Sequence, residues 1–324
     1  MSRHTAWQPT AALETLQMRA KIMQKIRHFF DERGLLEVET PLLSQHSVTD
    51  PYIQSFEAVY ENDAGNPQSY FLQTSPEYAM KRLIASGFGD VYQLCKAFRN
   101  HGEIGSEHNP EFTLLEWYRM GFDHHQLMDE MDDFLQYLLN CSKAQRFSYQ
   151  HLFLHFLKID PFELSAEDLK QFAQKNKIEL FGSDYDWDDW TAILLSHLIE
   201  PQLDPAIPVF IYDYPASQAA LSKIRNDRPK VGERFEVYFK GIELANGFHE
   251  LQNADEQLKR FQNDQQKRKN LNLKPMQVDQ RFIAALKHGL PNCSGVAVGI
   301  DRLIMLALSL KTISESMAFD FNRA

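Results

Sequence analysis

The sequence predicts an α+β domain built around an antiparallel sheet that is flanked by helices. Segments of alternating apolar residues are joined by turns in the manner of hairpins, and segments with helical spacing lie before, between and after them. The chain has 324 residues, of which 44% are hydrophobic and 24% charged, an ordinary globular composition. A chain of this length can bury a large core, so one large domain is feasible, although length alone also permits two.

Composition and charge argue against several classes of protein. No apolar run reaches the roughly 18 residues of a membrane span, and the polar N-terminus lacks the apolar core of a signal peptide. Three widely spaced cysteines without a CxxC pair argue against an oxidising compartment, so we expect a cytoplasmic protein. The net charge of −10 argues against a grip on a long polyanion. We expect the basic cluster at residues 267–269 to lie on a solvated helix face.

The first elements follow from residue spacing. Residues 11–33 carry apolar side chains at helical spacing, which predicts a helix. Residues 36–40 alternate as a strand. Ser75 and Pro76 predict the start of another helix, with Ser75 as the cap and Pro76 in the first helical position, and we expect that helix to run to about Ser86.

A hairpin and a helical region occupy the middle of the chain. Residues 91–99 and 111–119 are predicted strands on either side of an unusually polar loop with two glycines. Residues 123–200 look helical and irregular, and residues 209–212 are typical of a short strand. A polar helix is expected over residues 254–269.

One face of the first hairpin combines a carboxylate with apolar side chains. Phe112, Leu114, Glu116 and Tyr118 share this face because strand side chains alternate. Burying an unpaired charge there is costly, so Glu116 needs a cation or a solvated cleft. The alternative is an ordinary, half-exposed strand residue.

A second hairpin brings carboxylates together. Strands at residues 235–239 and 242–245 are joined by a two-residue turn, which can place Glu236 and Glu243 on a common face. Asn246 follows at the strand end. Converging carboxylates with an amide suit Mg²⁺ or an amine substrate, and ordinary surface glutamates are the alternative.

Residues 295–302 (GVAVGIDR) predict a last strand that runs into a helix over residues 302–310. Asp301 suits the cap of that helix. Arg302 is anomalous, because a cation in the first turn lies at the positive end of the helix dipole. An arginine at such a place either is simply solvated or faces an anion, and its planar guanidinium suits phosphate.

Several common catalytic motifs are missing from the sequence. It contains no GxSxG and no P-loop lysine pattern, and His249 does not form a zinc motif because no second histidine lies four residues on. His108 in the polar loop could contact phosphate or be solvated. Arginines, carboxylates and a glycine-containing strand suit nucleotide binding and nucleotidyl transfer without a covalent enzyme intermediate.

Four segments resemble the catalytic domain of class II aminoacyl-tRNA synthetases of the lysyl kind. Residues 38–41 (VETP) resemble the first class motif, the dimer-forming strand that a long helix enters. Residues 98–112 resemble the second motif, residues 295–302 the third, and residues 243–251 (ELANGFHEL) the lysine-site strand. The match runs in order along nearly the whole chain. It implies a single synthetase-like catalytic domain over residues 1–324.

Within that class, the chain most resembles the truncated lysyl-synthetase paralogues that attach (R)-β-lysine to a lysine of elongation factor P. It starts at the helix leading into the first motif, so we expect no anticodon-binding domain and no tRNA substrate. Ala297 stands where lysyl-tRNA synthetases typically carry glycine, and an extra methyl is the kind of change that selects a shifted amine. The resemblance also implies a homodimer that uses ATP and Mg²⁺.

The resemblance implies ATP contacts in the second and third motifs. Arg99 would clamp the α-phosphate and the substrate carboxylate, Arg302 would hold the γ-phosphate, and Phe112 would stack on adenine. The two arginines are the implied catalytic residues. The other implied ATP contacts are Asn100, Glu103, His108, Asn109, Glu243, Leu244 and Gly299. Synthetases of this kind usually carry glutamate directly after Arg-Asn, whereas two residues intervene here before Glu103, which leaves the ATP-contacting glutamate open.

The same resemblance implies an amino-acid site and a metal site. Ser75 and Glu77 would receive the amino end of the substrate, and Tyr118 and Glu250 would receive its distal ammonium. The remaining implied contacts with the substrate are Asn246 and Ala297. The implied ligands of Mg²⁺ are Glu236 and Glu243.

The implied reaction has two steps. The substrate carboxylate attacks the α-phosphorus of ATP to give an aminoacyl-adenylate and pyrophosphate, and a lysine amine of the partner protein then attacks the adenylate. A tRNA-charging enzyme or a free amino-acid ligase would use the same first step and stays a rival hypothesis. A non-catalytic paralogue is a third hypothesis, but it should have lost reactive residues, whereas Arg99, Glu243 and Arg302 are all present.

Overall fold

The computed structural model describes residues 7–100, 104–178 and 185–324. The chain forms two compact units. Unit 1 consists of Met1–Gly121 and Leu251–Ala324, and unit 2 of Phe122–Glu250. No helix in the part of the chain described here is long and apolar enough to cross a membrane.

Groups of strands and groups of helices follow one another along the chain. The α-helices of the described residues are α1 (Leu13–Asp31), α2 (Glu77–Ala85), α3 (His124–Leu139), α4 (Tyr149–Phe156), α5 (Ala166–Lys175), α6 (Trp187–Leu194), α7 (Ala254–Asn270), α8 (Gln280–Gly289) and α9 (Ile300–Ala307). The strands are β1 (Leu36–Glu37), β2 (Leu43–Ser44), β3 (Glu57–Glu61), β4 (Pro67–Leu72), β5 (Val91–Phe98), β6 (Glu111–Met120), β7 (Gln145–Ser148), β8 (Val209–Pro215), β9 (Ile224–Arg225), β10 (Val231–Phe239), β11 (Ile242–His249) and β12 (Cys293–Gly299).

Unit 1 contains two sheets. In the larger one the strand order is β1-β5-β6-β12, with β1 parallel to β5 and the other pairs antiparallel. The smaller sheet pairs β2 and β3 with β4. Helix α1 packs on the larger sheet through Phe30, whose ring stacks on Tyr92 at 4.7 Å and lies 5.1 Å from Trp117. Because all three side chains are buried, this aromatic contact fixes α1 against the strands that carry the second motif.

Unit 2 is built on a second group of strands. Strands β11, β10, β8 and β7 follow one another, and β9 also pairs with β10. The pairs are antiparallel except for the parallel pair β7 and β8. Helices α4, α5 and α6 bury Phe153, Leu169 and Leu194 against this sheet in one apolar cluster. The hairpin that carries the predicted carboxylates is therefore attached to a large core.

The predicted α+β fold, with a mainly antiparallel sheet flanked by helices, is confirmed. The helix predicted over residues 11–33, both hairpins and the polar helix over residues 254–269 are all present. The strand predicted over residues 36–40 is only two residues long. Strands β2, β3, β4, β7 and β9 and helix α8 were not predicted from the sequence.

Ser75 does not cap helix α2 as predicted. The helix begins at Glu77, Pro76 occupies the cap position, and no side chain caps the first turn. Glu77 places a carboxylate at the positive end of the helix dipole instead, which is favourable there. The predicted helix end is confirmed, because Ser86 lies in the C-cap position.

Asp301 does not cap the last helix either. Helix α9 begins at Ile300, one residue before Asp301, and Gly299 occupies the cap position. The Asp301 carboxylate is buried and accepts hydrogen bonds from the Arg19 guanidinium and the Thr113 backbone N–H, each at 2.6 Å. Asp301 thus joins α1, β6 and α9, and Arg302 remains in the first turn as predicted.

The basic cluster at residues 267–269 is not wholly solvated as predicted. Helix α7 carries it, but Arg268 is fully buried. Its guanidinium donates hydrogen bonds to the carbonyl oxygens of Asp50 and Lys274 and to the side-chain oxygen of Gln54. Burial is tolerated because the charged donors have acceptors.

Candidate active site

Arg99 lies at the base of the polar loop in unit 1. It directly follows β5, and its backbone N–H donates to the Pro110 carbonyl at 2.9 Å, which closes the hairpin. Its exposed guanidinium lies 5.3 Å from the ring centroid of Phe112, a cation–π distance. The cation and the ring that were predicted to bind phosphate and adenine are therefore neighbours.

Arg302 is held against the far side of the same loop. Its Nε donates to the Glu107 carbonyl at 3.1 Å, and its Nη2 lies 2.7 Å from Nε2 of His108. These contacts place two of the predicted ATP residues together. Because a helix N-terminus and an arginine both favour anions, this end of α9 suits a phosphate.

Asn109 and Asn100, the other predicted ATP contacts near this loop, form hydrogen bonds with backbone groups of other residues. The Asn109 side chain donates to the Glu111 carbonyl at 2.5 Å and accepts from the Phe321 N–H at 3.0 Å. The Asn100 N–H donates to the Gln54 carbonyl at 2.8 Å. Glu103, which was predicted to contact ATP, lies outside the described residues.

Tyr118 and Glu116 form a buried polar pair on β6. The Tyr118 hydroxyl donates to Oε1 of Glu116 at 2.6 Å, and both side chains are at most 3% exposed. The interpretation of Glu116 as a half-exposed strand residue is therefore wrong. Ala297 on β12 lies directly opposite Glu116, and Gly299 lies opposite Leu114. The methyl that distinguishes this sequence thus adjoins a buried carboxylate.

Ser75 and Glu77 lie where β4 leads into α2. Glu77 forms an ion pair of 2.6 Å with Lys81, which is 1% exposed. Ser75, Gln73 and Asp279 are among the residues that line a partly open pocket in unit 1. Ser75, one of the predicted contacts for the amino end of the substrate, therefore lies in a pocket with polar and apolar lining.

Glu236 and Glu243 share one face of the β10–β11 hairpin. Lys240 and Gly241 adopt φ values of 53° and 76°, as a tight two-residue hairpin turn requires. Tyr238 lies opposite Glu243 across the ladder. Since Glu236 and Tyr238 are two residues apart on one strand, the two glutamates point to the same side.

A β-bulge adds an amide to that face. The register shifts after Val237, so Leu244 has no residue opposite it. Asn246, rather than Ala245, therefore lies opposite Glu236. Leu244 itself is buried in the core of unit 2, which leaves its backbone rather than its side chain for the predicted ATP contact.

Donors converge on Glu236. The hydroxyls of Tyr214 and Tyr238 donate to its Oε2 at 2.7 and 2.8 Å, and Arg234 hydrogen-bonds to its Oε1. Burial, together with the Glu236 charge, holds the pKa of both tyrosine hydroxyls well above the usual value. Both hydroxyls therefore stay protonated, and Arg234 also donates to the Asn246 side chain at 3.2 Å. Glu243 by contrast is exposed.

Glu250 belongs to the predicted lysine-site strand and directly follows β11. It is 1% exposed and forms an isolated β-bridge with Ser222. A buried carboxylate suits a substrate ammonium because the low dielectric strengthens the attraction between opposite charges.

A separate polar cluster in unit 2 contains His124, Glu233 and His249, each with one potential metal-ligand atom within 4.8 Å of the others. The His249 Nδ1 lies 2.6 Å from Glu233, and the Lys223 ammonium lies 2.9 Å from His249 Nε2. Arg225 also approaches Glu233 at 3.8 Å. Since the Arg225 guanidinium already faces the Glu233 carboxylate and the Lys223 ammonium faces His249, we interpret the cluster as an ion-pair network.

A family model for class II tRNA synthetases (D, K and N) matches residues 1–323. The chain belongs to this family. The segments that resemble the second and third motifs of these synthetases are the β5–β6 loop and the β12–α9 turn. Arg99 lies at the first of these sites and Arg302 at the second.

Several class II relatives match over nearly their full length. A Vibrio vulnificus (strain YJ016) protein named elongation factor P–(R)-β-lysine ligase is 50% identical, over 97% of this chain and 98% of that protein. A protein of the same name from Haemophilus ducreyi (strain 35000HP / ATCC 700724) is 49% identical over 98% and 97%. One from Pectobacterium carotovorum subsp. carotovorum (strain PC1) is 47% identical over 100% of both. These matches confirm the predicted resemblance to class II synthetases, and they confirm the prediction that the chain is an ATP-dependent ligase.

Sequence reasoning missed the residues that hold this synthetase's predicted carboxylates. Arg234 and Tyr238 lie two residues before and after Glu236, so strand alternation alone could have found them. Tyr214 lies on another strand, and no local pattern points to it. Glu116 was noticed but not assigned a role, although alternation already placed it beside Tyr118.

Proposed function

We propose that this chain activates (R)-β-lysine with ATP as an aminoacyl-adenylate and transfers it to the ε-amino group of a lysine of elongation factor P. The observation that carries this proposal is the near full-length similarity, about 50% identity, to ligases named for that reaction. The clustered arginines and buried carboxylates support it, since each suits one part of such a reaction.

ATP binding is assigned to the second and third motifs. Arg99 neutralises the α-phosphate and the substrate carboxylate, Arg302 and His108 bind the γ-phosphate, and Phe112 stacks on adenine. The cation–π contact of Arg99 with Phe112 and the hydrogen bond between Arg302 and His108 support this division. Further ATP contacts are assigned to Asn100, Asn109, Glu243, Leu244 and Gly299, and Glu103 remains a prediction from sequence.

The contacts with the amino-acid substrate are assigned to polar side chains. Tyr118 and Glu250 bind the distal ammonium, and buried Glu116 adds a second carboxylate on the face of Tyr118. Ala297 limits the space opposite Glu116. The remaining contacts are assigned to Ser75, Glu77 and Asn246.

Magnesium is proposed at Glu243 and Glu236. Glu243 is exposed, and Glu236 accepts three hydrogen bonds although a carboxylate offers about four lone-pair sites. The shared face and the oxygen chemistry fit a hard divalent cation. Such an ion would supply further neutralisation of phosphate charge.

The reaction follows from charge neutralisation and positioning. The substrate carboxylate oxygen bonds to the α-phosphorus of ATP, and the bond to the bridging oxygen breaks to release pyrophosphate. Arg99 and Arg302 neutralise the negative charge that develops. The acceptor amine then attacks the carbonyl of the adenylate, loses a proton and forms an amide as AMP leaves.

We also propose a cytoplasmic homodimer. Exposed large apolar side chains near the first motif favour self-association of unit 1: Leu13, Met18, Leu36, Leu42 and Leu43. Such side chains are commonly covered at an obligate interface.

ATP–pyrophosphate exchange tests the first step directly. We expect exchange with (R)-β-lysine to exceed exchange with (S)-β-lysine and with α-lysine. Exchange with α-lysine alone would overturn the proposed substrate, and no exchange with any amino acid would overturn the proposed reaction.

A further inference from the structure

Helix α7 is hydrogen-bonded to residues 49–54, a segment of unit 1 that is distant in sequence. Residues 49–54 pass along this helix, and Arg268 donates to the Asp50 carbonyl at 2.9 Å and to Oε1 of Gln54 at 3.1 Å. Its third donor, Nε, contacts the Lys274 carbonyl at 2.8 Å. With every acceptor in place, the buried guanidinium fixes the path of this segment.

Asp264, one helical turn before Arg268, is also hydrogen-bonded to this segment. Its Oδ2 accepts a hydrogen bond of 2.7 Å from the Thr49 hydroxyl. Asp264 and Arg268 are four residues apart and therefore lie on one face of α7. Two side chains of that face thus hold both ends of the segment.

Gln54 connects the segment to the second motif. Its carbonyl accepts a hydrogen bond of 2.8 Å from the Asn100 N–H in an isolated antiparallel bridge. The Gln54 side chain also donates to the Pro51 carbonyl at 2.8 Å, which stiffens the turn. Asn100 directly follows Arg99, so a shift of Gln54 is transmitted to the base of the polar loop.

We infer that Arg268 is a positioning residue for the ATP-binding loop, acting through Gln54 on Asn100 and Arg99. Among the described residues, its hydrogen bonds reach none of the assigned substrate contacts. This inference rests on the proposed function, because it assumes that the second motif binds ATP. Asn100, which is hydrogen-bonded to Gln54, is assigned to ATP alone, whereas Arg99 is assigned to both ATP and the substrate carboxylate. The effect should therefore fall on ATP more than on the amino acid.

Arg268→Met tests the inference, with Arg260→Met as the matched control. Arg260 lies two turns earlier on α7 and forms an ion pair with Glu256. For Arg268→Met we expect the affinity for a non-hydrolysable ATP analogue, measured by calorimetry, to fall about tenfold. We expect KM for the amino acid in pyrophosphate exchange to change less than about twofold. The control should change neither.

Two further variants separate positioning from loss of folding. Arg268→Lys keeps a donor and should recover part of the ATP affinity. Gln54→Ala removes the side-chain hydrogen bond between Gln54 and Arg268 but leaves the bonds of Arg268 to the carbonyls of Asp50 and Lys274. This variant should therefore weaken ATP binding, and it tests the inference even if Arg268→Met unfolds. Thermal unfolding reports the folded state of each variant.

The outcomes distinguish the two levels of the proposal. Unchanged ATP affinity in folded Arg268→Met and Gln54→Ala, or an equal loss for ATP and amino acid, would overturn the positioning role and leave the proposed function intact. Failure of the wild-type protein to bind the ATP analogue would overturn the proposed function itself, and the positioning role with it.

Discussion

Ala297 is the residue at which we propose that one methyl group decides which amine is selected. It lies opposite Glu116, whose buried carboxylate accepts a hydrogen bond from the Tyr118 hydroxyl. A methyl changes discrimination between similar substrates by a factor of about 10 or more when a pocket is closely packed. The identity of this residue therefore bears more on specificity than on the chemistry.

We expect Ala297→Gly to raise the relative use of α-lysine. The ratio of kcat/KM for α-lysine to that for (R)-β-lysine in pyrophosphate exchange should rise about tenfold, because the vacated space admits an amine at the α-carbon. An unchanged ratio in a folded variant would show that Ala297 does not contact this part of the substrate.

Arg302 should contribute mainly to the transition state of adenylate formation. We expect Arg302→Ala to lower the exchange rate by about 10²–10³-fold, since one charged donor to developing phosphate charge is lost. Ser309→Ala, at an exposed site just beyond the same helix, is the control. Full exchange by Arg302→Ala would contradict the assigned reaction.

At the scale of single elements, hairpin β10–β11 is held by close packing as well as by its ladder. Gly247 lies opposite Phe235, and a Cβ at position 247 would approach the Phe235 ring to 2.3 Å. Phe235 is fully buried and has little room to move. The glycine is therefore required by packing, not by an unusual backbone conformation.

Gly247→Ala should destabilise the protein by about 2 kcal/mol, because overpacking a filled core forces side chains from their preferred rotamers. Denaturant unfolding measures the change. The control is Ala245→Gly on the same strand, which adds no bulk. Gly241→Ala is not an equivalent control, because that glycine has a positive φ. A neutral Gly247→Ala variant would show that Phe235 can move aside.

The ion-pair network of Glu233 and His249, which lie on this hairpin, should make the free energy of unfolding depend on pH. The hydrogen bond from His249 lowers the pKa of the Glu233 carboxyl against the opposing effect of burial, and the charges of His124 and Arg225 lower it further. A carboxyl whose folded pKa is lowered stabilises the protein fully above its unfolded pKa of about 4.3. That contribution is lost as the pH falls through the lower folded value.

We expect Glu233→Gln to lower the free energy of unfolding at pH 7 by about 1–2 kcal/mol. The difference from the wild type should shrink below about pH 4.3. Glu167→Gln, at an exposed position on α5, is the control and should have little effect at either pH. A constant difference from pH 7 to pH 3 would contradict this account of the network.

At the scale of the whole molecule, patterns within one element were predictable and contacts between distant elements were not. Strand alternation placed Glu116 beside Tyr118, and the turn at Lys240 placed Glu236 near Glu243. The bulge at Leu244 left no clear signal, because it depends on how two strands pack in a core.

Arg268 illustrates the limit most clearly. A basic residue on a polar helix is usually solvated, yet its acceptors at Asp50 and Gln54 are 218 and 214 residues away in sequence. Asp301 was likewise predicted as a local cap but joins α1 to β6. Spacing rules describe neighbours along the chain, so they cannot indicate such partners.

The transfer step distinguishes the proposed protein ligase from a tRNA-charging enzyme, which would share its adenylate chemistry. The most direct test incubates the protein with ATP and labelled (R)-β-lysine in the presence of purified elongation factor P or of tRNA. We predict that label becomes attached to a lysine of elongation factor P and not to tRNA. Label transferred only to tRNA would contradict the account.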